Sequence, residues 1–172
     1  MTKRSWMWVI AGAVLALPMG GAAQGPMGEQ GMRAWHEEQL TDFEAMRDKF
    51  LALAEAFPED TWDWTPMDDV RSVRDVMALI VAEGYLFPVL WGVEAPDGVE
   101  EAFGAEMERA FEHLITSTRE LTLAQQVSEA SWFGQPISVV GAIARAGGDM
   151  HEHLGQAIAY ARTNHIVPLW SR

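Results

Sequence analysis

WDWTPMDDVRSVRDVMALIVAEGYLF, residues 62–87, holds a loop and a helix, and two side chains mark the boundary between them. Ser72 is followed three residues later by Asp75, a capping box with the shorter acid, in which each side chain satisfies a backbone N–H that the helix start would leave unpaired. Beyond it, Val73, Val76, Met77, Ile80 and Phe87 recur mostly at helical spacing, so one face of this segment is apolar. Pro88, and then Pro96-Asp97-Gly98, mark its end and a turn. Before the helix, residues 58–69 are turn-rich yet carry Trp62 and Trp64. Indoles of that size are predicted to fold back on the end of the helices.

Working outward, Trp35, Phe43, Met46, Phe50, Leu53 and Phe57 give a first helix that Pro58 stops. Phe103, Met107, Ala110, Leu114 and Leu121 give a third, with an acidic outer face. Residues 131–136 (SWFGQP) read as a connector, with Pro136 at the first turn of a last helix running to about Thr163. No segment shows strand-like alternation over a useful length. Four long helical patterns predict an all-α fold, an antiparallel four-helix bundle.

The first 23 residues have a different design. Lys3 and Arg4 precede an apolar run from Ser5 to Met19, and small residues, including Gly21 and Ala23, follow. This is the layout of a secretory signal peptide, with cleavage expected after Ala23 and a periplasmic or secreted destination. Pro18 and the glycines interrupt the apolar run, which is short for a membrane span, so no stable membrane association is expected after cleavage. Residues 24–31 (QGPMGEQG) lack periodicity and are predicted to be a flexible tether, with the bundle domain spanning 32–172.

The chain carries a formal charge of −13 and no cysteine. Such an acidic protein cannot displace the counterions of a duplex, so nucleic acid is not an expected partner. Without cysteine there is no thiol nucleophile and no disulfide, and the core alone must hold the fold.

Chemistry concentrates in the last helix, in Asp149-Met150-His151-Glu152-His153 followed by Gln156 and Tyr160. Asp149 and His153 are four apart, hence on one face, a spacing at which one helix offers two ligands to a metal ion. His151 points roughly the other way. A third ligand must come from a facing helix; otherwise Asp149 is solvated and His153 simply bonds a neighbour. Neither HExxH nor any Glu-x-x-His pair occurs, which argues against zincin and di-iron chemistry, and GxSxG is absent. His36 and His113, each beside a glutamate, read as solvated surface residues. The ten methionines read as adaptable packing.

Two stretches carry a family resemblance. MHEHLGQAIAYARTNHIVPLWSR, residues 150–172, resembles the C-terminal signature of secreted DinB-like proteins, and residues 62–87 resemble their W-x-P-x-x-x-V-R-S loop and second helix. The resemblance, to the DinB/YfiT-like superfamily, implies a four-helix bundle over 32–172. It further implies a divalent metal held by one His of the second helix and an H-x-x-x-H pair of the fourth, activating a low-molecular-weight thiol in related branches. Carried over residue by residue, His153 matches the second His of the pair, Asp149 stands where the first usually is, and the second-helix His falls on Leu79. Glu83, one turn after Leu79 on the same face, is the candidate replacement ligand. His165 occupies the place of a glycine at the helix end, where a left-handed backbone costs a side-chain-bearing residue on the order of 1 kcal/mol.

Two functional expectations follow. In one, the bundle has lost its metal, has no cofactor, and serves a binding or structural role. In the other, it is a divalent-metal-dependent enzyme of thiol transferase or hydrolase type acting on a small molecule, with zinc, nickel, manganese or iron on Glu83, Asp149 and His153. The first predicts apolar packing around Leu79 and the second a polar pocket between the second and fourth helices. The resemblance also makes a homodimer plausible.

Overall fold

The structure is a computed structural model and describes residues 28–96 and 103–171, the side chain of Phe103 excepted. The signal-peptide segment and the Asp97-Gly98 turn lie outside the described residues. Four long helices, α1 (Glu29–Ala56), α2 (Val73–Val89), α3 (Phe103–Arg119) and α5 (Val139–Thr163), surround one core, with a short α4 (Leu123–Gln126) before the last. Each long helix contributes its apolar stripe, and Phe43, Phe50, Phe87, Phe111, Met77, Ile80, Leu114, Ile143 and Met150 are fully buried. Their number explains how a cysteine-free chain holds together, since each fully buried large apolar side chain stabilises by about 1.5–3 kcal/mol before entropy is counted.

α1 packs on α3 and α5, and α2 packs on the same two, so α1 lies diagonally across from α2. His36 meets Thr118 and Phe50 meets Phe111, which makes α1 and α3 antiparallel. Arg71 meets Tyr160 and Glu83 meets His153, which makes α2 and α5 antiparallel as well. α1 and α5 run the same way, because Asp42 pairs with His151 while Ala52 and Glu55 share a cavity with His165 and Ile166. The all-helical bundle is therefore assembled from two antiparallel pairs.

The capping box is formed as expected: Asp75 N–H donates to Ser72 Oγ at 3.1 Å and Ser72 N–H donates to the Asp75 carboxylate at 3.0 Å. Trp62 and Trp64 do pack back on the bundle, Trp64 edge-on to Tyr160 with centroids 5.3 Å apart. Gly84 of α2 is seated against α3, where a Cβ would come within 2.8 Å of Ala110. That close approach fixes the rotation of α2, and Glu83, about 100° away around the helix, faces α5.

Four expectations are corrected. Glu29, Gln30 and Gly31, placed in the tether by the sequence, are already helical, and Arg33 one turn on pairs with Glu29 and supports this helix start; residues 24–27 lie outside the described residues. Pro88 sits within α2, one residue before its end. Leu121 lies beyond the end of α3, though still in the core. The connector is a β-hairpin, β1 (Glu129–Trp132) paired antiparallel with β2 (Gln135–Ser138), and Pro136 belongs to β2, not to the helix. Its two-residue turn, Phe133-Gly134, has φ of 47° and 88°, the double left-handed conformation that matches strand twist. Trp132 of β1 stacks on Phe87, which anchors the hairpin. The helix start moves to Val139, capped by Ser138.

α5 ends with His165 at φ 60°, and Ile166 N–H reaches back to the carbonyl of Ala161 at 2.8 Å. This is a Schellman cap with a side chain where glycine is preferred. His165→Gly is expected to raise the stability by about 1 kcal/mol, read as a higher urea midpoint at unchanged m-value.

Candidate metal centre

Glu83 on α2 and Asp149 and His153 on α5 meet at mid-helix. One ligand atom from each lies within 4.8 Å of the other two, with His153 Nε2 at 3.6 Å from Glu83 Oε1 and 4.0 Å from Asp149 Oδ2. All three residues singled out from the sequence are thus brought together. Donors about 2.0–2.2 Å from a tetrahedral ion are about 3.4 Å apart, so small side-chain rotations suffice to bring this set onto one ion.

The electrostatics of the trio are unusual for a resting surface. Glu83 is buried, its Oε2 has no hydrogen-bond partner, and its contact with His153 is too long for a hydrogen bond. Burial, and then the neighbouring Asp149 carboxylate, push the Glu83 carboxyl up to about 8, with Arg71 opposing. An apolar side chain would fill this position without that penalty. Two carboxyl groups facing one imidazole, one of them buried with an unpartnered oxygen, are a donor set that fits a cation.

A hydrogen-bond chain orients the imidazole. His153 Nδ1–H donates to Gln156 Oε1 at 3.2 Å, Gln156 Nε2–H donates to the Tyr160 hydroxyl at 2.9 Å, and that hydroxyl donates to the Arg71 carbonyl at 3.0 Å. Because the glutamine oxygen can only accept, Nδ1 carries a proton, and Nε2 is the ring atom that faces the two carboxyl groups. Gln156 and Tyr160 therefore do bond across the bundle, and by doing so they select the tautomer.

Around the trio, Leu79 is half-buried and stands outside the packed core. Four cavities of about 360 to 660 Å³ lie elsewhere, none lined by the three residues. His151 turns away, as expected, and pairs with Asp42 of α1 at 2.8 Å.

The remaining histidines depart from the surface reading. His36 is buried, its Nε2–H donating to the Thr118 carbonyl at 2.8 Å and its Nδ1 accepting from Gln126 at 3.0 Å. These partners lie 82 and 90 residues away, so no local pattern could show them. His113 is half-buried against Tyr85, its Nε2 has no partner, and burial lowers its basicity. Nor is the third helix acidic only outside: Glu106 is buried and accepts from Tyr85 and Arg109. Although burial raises Glu106, those two hydrogen bonds hold it below the usual carboxylate range, and the Tyr85 phenol is pushed up to about 12 by burial and by Glu106.

Comparison with known proteins agrees with this architecture. No curated protein matches the chain. Among solved structures, the DinB-like protein YjoA from Bacillus subtilis superposes with a TM-score of 0.67 at 19% identity, covering 78% of this chain and 98% of that one. At that identity the likeness shows the fold. The family model of the DinB superfamily matches residues 42–157, from the middle of α1 through the Asp149–His153 segment, and the chain belongs to the DinB superfamily.

Proposed function

We propose that this protein binds one divalent cation on Glu83, Asp149 and His153 and uses it on a small-molecule substrate. The observation that carries the reading is the buried Glu83 carboxyl group, placed beside a second carboxyl group and the Nε2 of a fixed imidazole, with one of its oxygens unpartnered. In this reading Glu83 replaces the histidine that the family places at Leu79. Two carboxylates and one imidazole are a harder donor set than three imidazoles, which favours manganese, iron or zinc and an oxygen-bearing substrate over thiol chemistry. When bound, the ion would supply Lewis-acid activation in a hydrolase-type reaction. The chain's own residues do the rest. Gln156 and Tyr160 hold His153 in one tautomer, Glu83 supplies buried charge, and Leu79, on the same face of α2 as Glu83, gives the approach an apolar wall.

The test is metal content by mass spectrometry on protein purified without chelator, together with melting in the presence and absence of chelator. One ion per chain and a chelator-sensitive melting point are expected. No bound metal and no shift on adding zinc, manganese, nickel or iron would sink the reading.

A second reading, a metal-free bundle with a binding or structural role, is favoured by one observation, the leucine at position 79. The same experiment separates the two.

We also infer export, which rests on the layout of residues 1–23. It predicts that the protein recovered from the periplasm or medium begins at Gln24, as read by intact-mass spectrometry; an intact Met1 in the cytoplasm would refute it. Among the described residues no helix is long and apolar enough to cross a membrane.

A further inference from the structure

We propose that Arg71 selects the substrate of the Glu83, Asp149 and His153 centre, and that it selects an anion: a small molecule whose carboxylate or phosphate lies against the Arg71 guanidinium while an oxygen a few bonds away faces the cation. The inference rests on the metal reading above, and adds to it a substrate class and the residue that recognises it.

The pairing of α2 with α5 is what brings Arg71 to the centre. Asp149, His153, Gln156 and Tyr160 follow one another at helical spacing and form one stripe of α5. Two points of that stripe are fixed against α2 and the loop before it: His153 lies 3.6 Å from Glu83, and the Tyr160 hydroxyl donates to the Arg71 carbonyl at 3.0 Å. The two points are about 10 Å apart along the α5 axis, a gap that a long side chain and a small substrate can share. Glu83, like any helical side chain, leans towards the start of its helix, which is the Arg71 end. The Arg71 charge is felt there: burial and then Asp149 raise Glu83, and Arg71 opposes them.

The backbone that carries Arg71 is held in place. Val73 N–H donates to the Trp64 carbonyl at 3.1 Å, Arg74 N–H donates to the Trp62 carbonyl at 2.8 Å, and Trp64 packs edge-on against Tyr160. The guanidinium itself is uncommitted. It is exposed and makes no hydrogen bond or ion pair, whereas Arg74 is held by Asp63 at 2.8 Å and lies over Trp62. Asp75, on the first turn of α2, is engaged by Ser72 instead. A free guanidinium beside a cation site works against the cation, because like charges repel, and favours whatever arrives with negative charge. Once a divalent ion cancels the two carboxylates, Arg71 stands as an uncancelled positive charge next to it. Its planar fork matches carboxylate and phosphate alike with two parallel hydrogen bonds, and an amine would be repelled from both ends of the site.

The experiment is calorimetric titration of the manganese- or zinc-loaded protein with malonate, succinate and glutarate, which hold two carboxylates at increasing separation. Phosphonoacetate, in which a phosphonate replaces one carboxylate of malonate, separates phosphate from carboxylate recognition, and malonamide and succinamide are the uncharged controls. At least one dianion is expected to bind with a Kd of about 1 mM or tighter, and its diamide at least about tenfold more weakly. Arg71→Gln should weaken that dianion by about tenfold or more, and Arg71→Lys by less. Both variants should keep the melting point and bind the metal at least as tightly, since the guanidinium holds no other side chain and the carbonyl that Tyr160 uses is unchanged. Equal affinity in Arg71→Gln, or no dianion bound at about 10 mM by protein that holds its ion, would overturn this proposal and leave the metal reading standing. A protein that holds no ion would overturn both.

Discussion

Replacing His153 by alanine is expected to abolish divalent-ion binding and, with it, the whole ligand-linked part of the protein's stability. A ligand present at a thousand times its Kd stabilises a fold by about 4 kcal/mol, and that increment should vanish in the variant. Glu83→Ala should lose the ion too, because among the described residues Glu83 is the third donor that groups with Asp149 and His153. Gln156→Leu is the more discriminating change. It leaves all three ligands in place but releases His153 Nδ1 from its acceptor, so affinity should fall by about 10- to 100-fold without disappearing. Titration of chelated protein with zinc or manganese, followed by calorimetry and by melting, reads all three variants. An ion retained in both His153→Ala and Glu83→Ala would place it somewhere else.

The metal-free protein should show a distinctive pH dependence. Glu83 is raised from about 4.5 to about 8 in the folded chain, first by burial and then by Asp149. A carboxyl whose folded value lies above its unfolded value binds its proton more tightly in the native state, so stability falls as pH rises between the two values. The loss should begin above about pH 4.5, continue to about pH 8 and level off beyond it. A full shift of that size would amount to nearly 5 kcal/mol; Asp149 is more than a third exposed and water screens the pair, so about 2 kcal/mol is expected. Glu83→Gln, which mimics the protonated form, should remove this component and be the more stable protein at pH 8. Bound metal should abolish the slope, since the cation favours the ionised carboxylate. Urea denaturation at pH 5, 6.5 and 8, with and without chelator, measures all of these. A Glu83→Gln variant that kept the wild-type slope would show that another group carries it.

Both expectations turn on one pairing of helices, and that pairing marks where sequence reading stops. Helical spacing identified the four long helices, because burial on one side of a helix leaves a period that survives in the residue order, as Val73, Val76, Met77 and Ile80 do. The capping box at Ser72 and Asp75 was legible because it is determined within a few residues, whereas the left-handed position of His165 was expected only through the family resemblance. Asp149 and His153 were legible as a pair because a helix places i and i+4 together. The hairpin was not, since strands of four residues are too short for alternation to stand out, and Trp132 is placed by Phe87 across the fold.

Only the tertiary structure decided that Glu83 meets that pair. Its position follows from Gly84 seated against Ala110, a contact across α2 and α3 that no local pattern encodes. The burial of His36 by Thr118 and Gln126 is of the same kind, as is the choice of tautomer for His153 through Gln156, Tyr160 and the carbonyl of Arg71. Periodicity reports which face of a helix is inward, whereas the identity of the facing helix, and so the third ligand, is set by packing among segments distant along the chain.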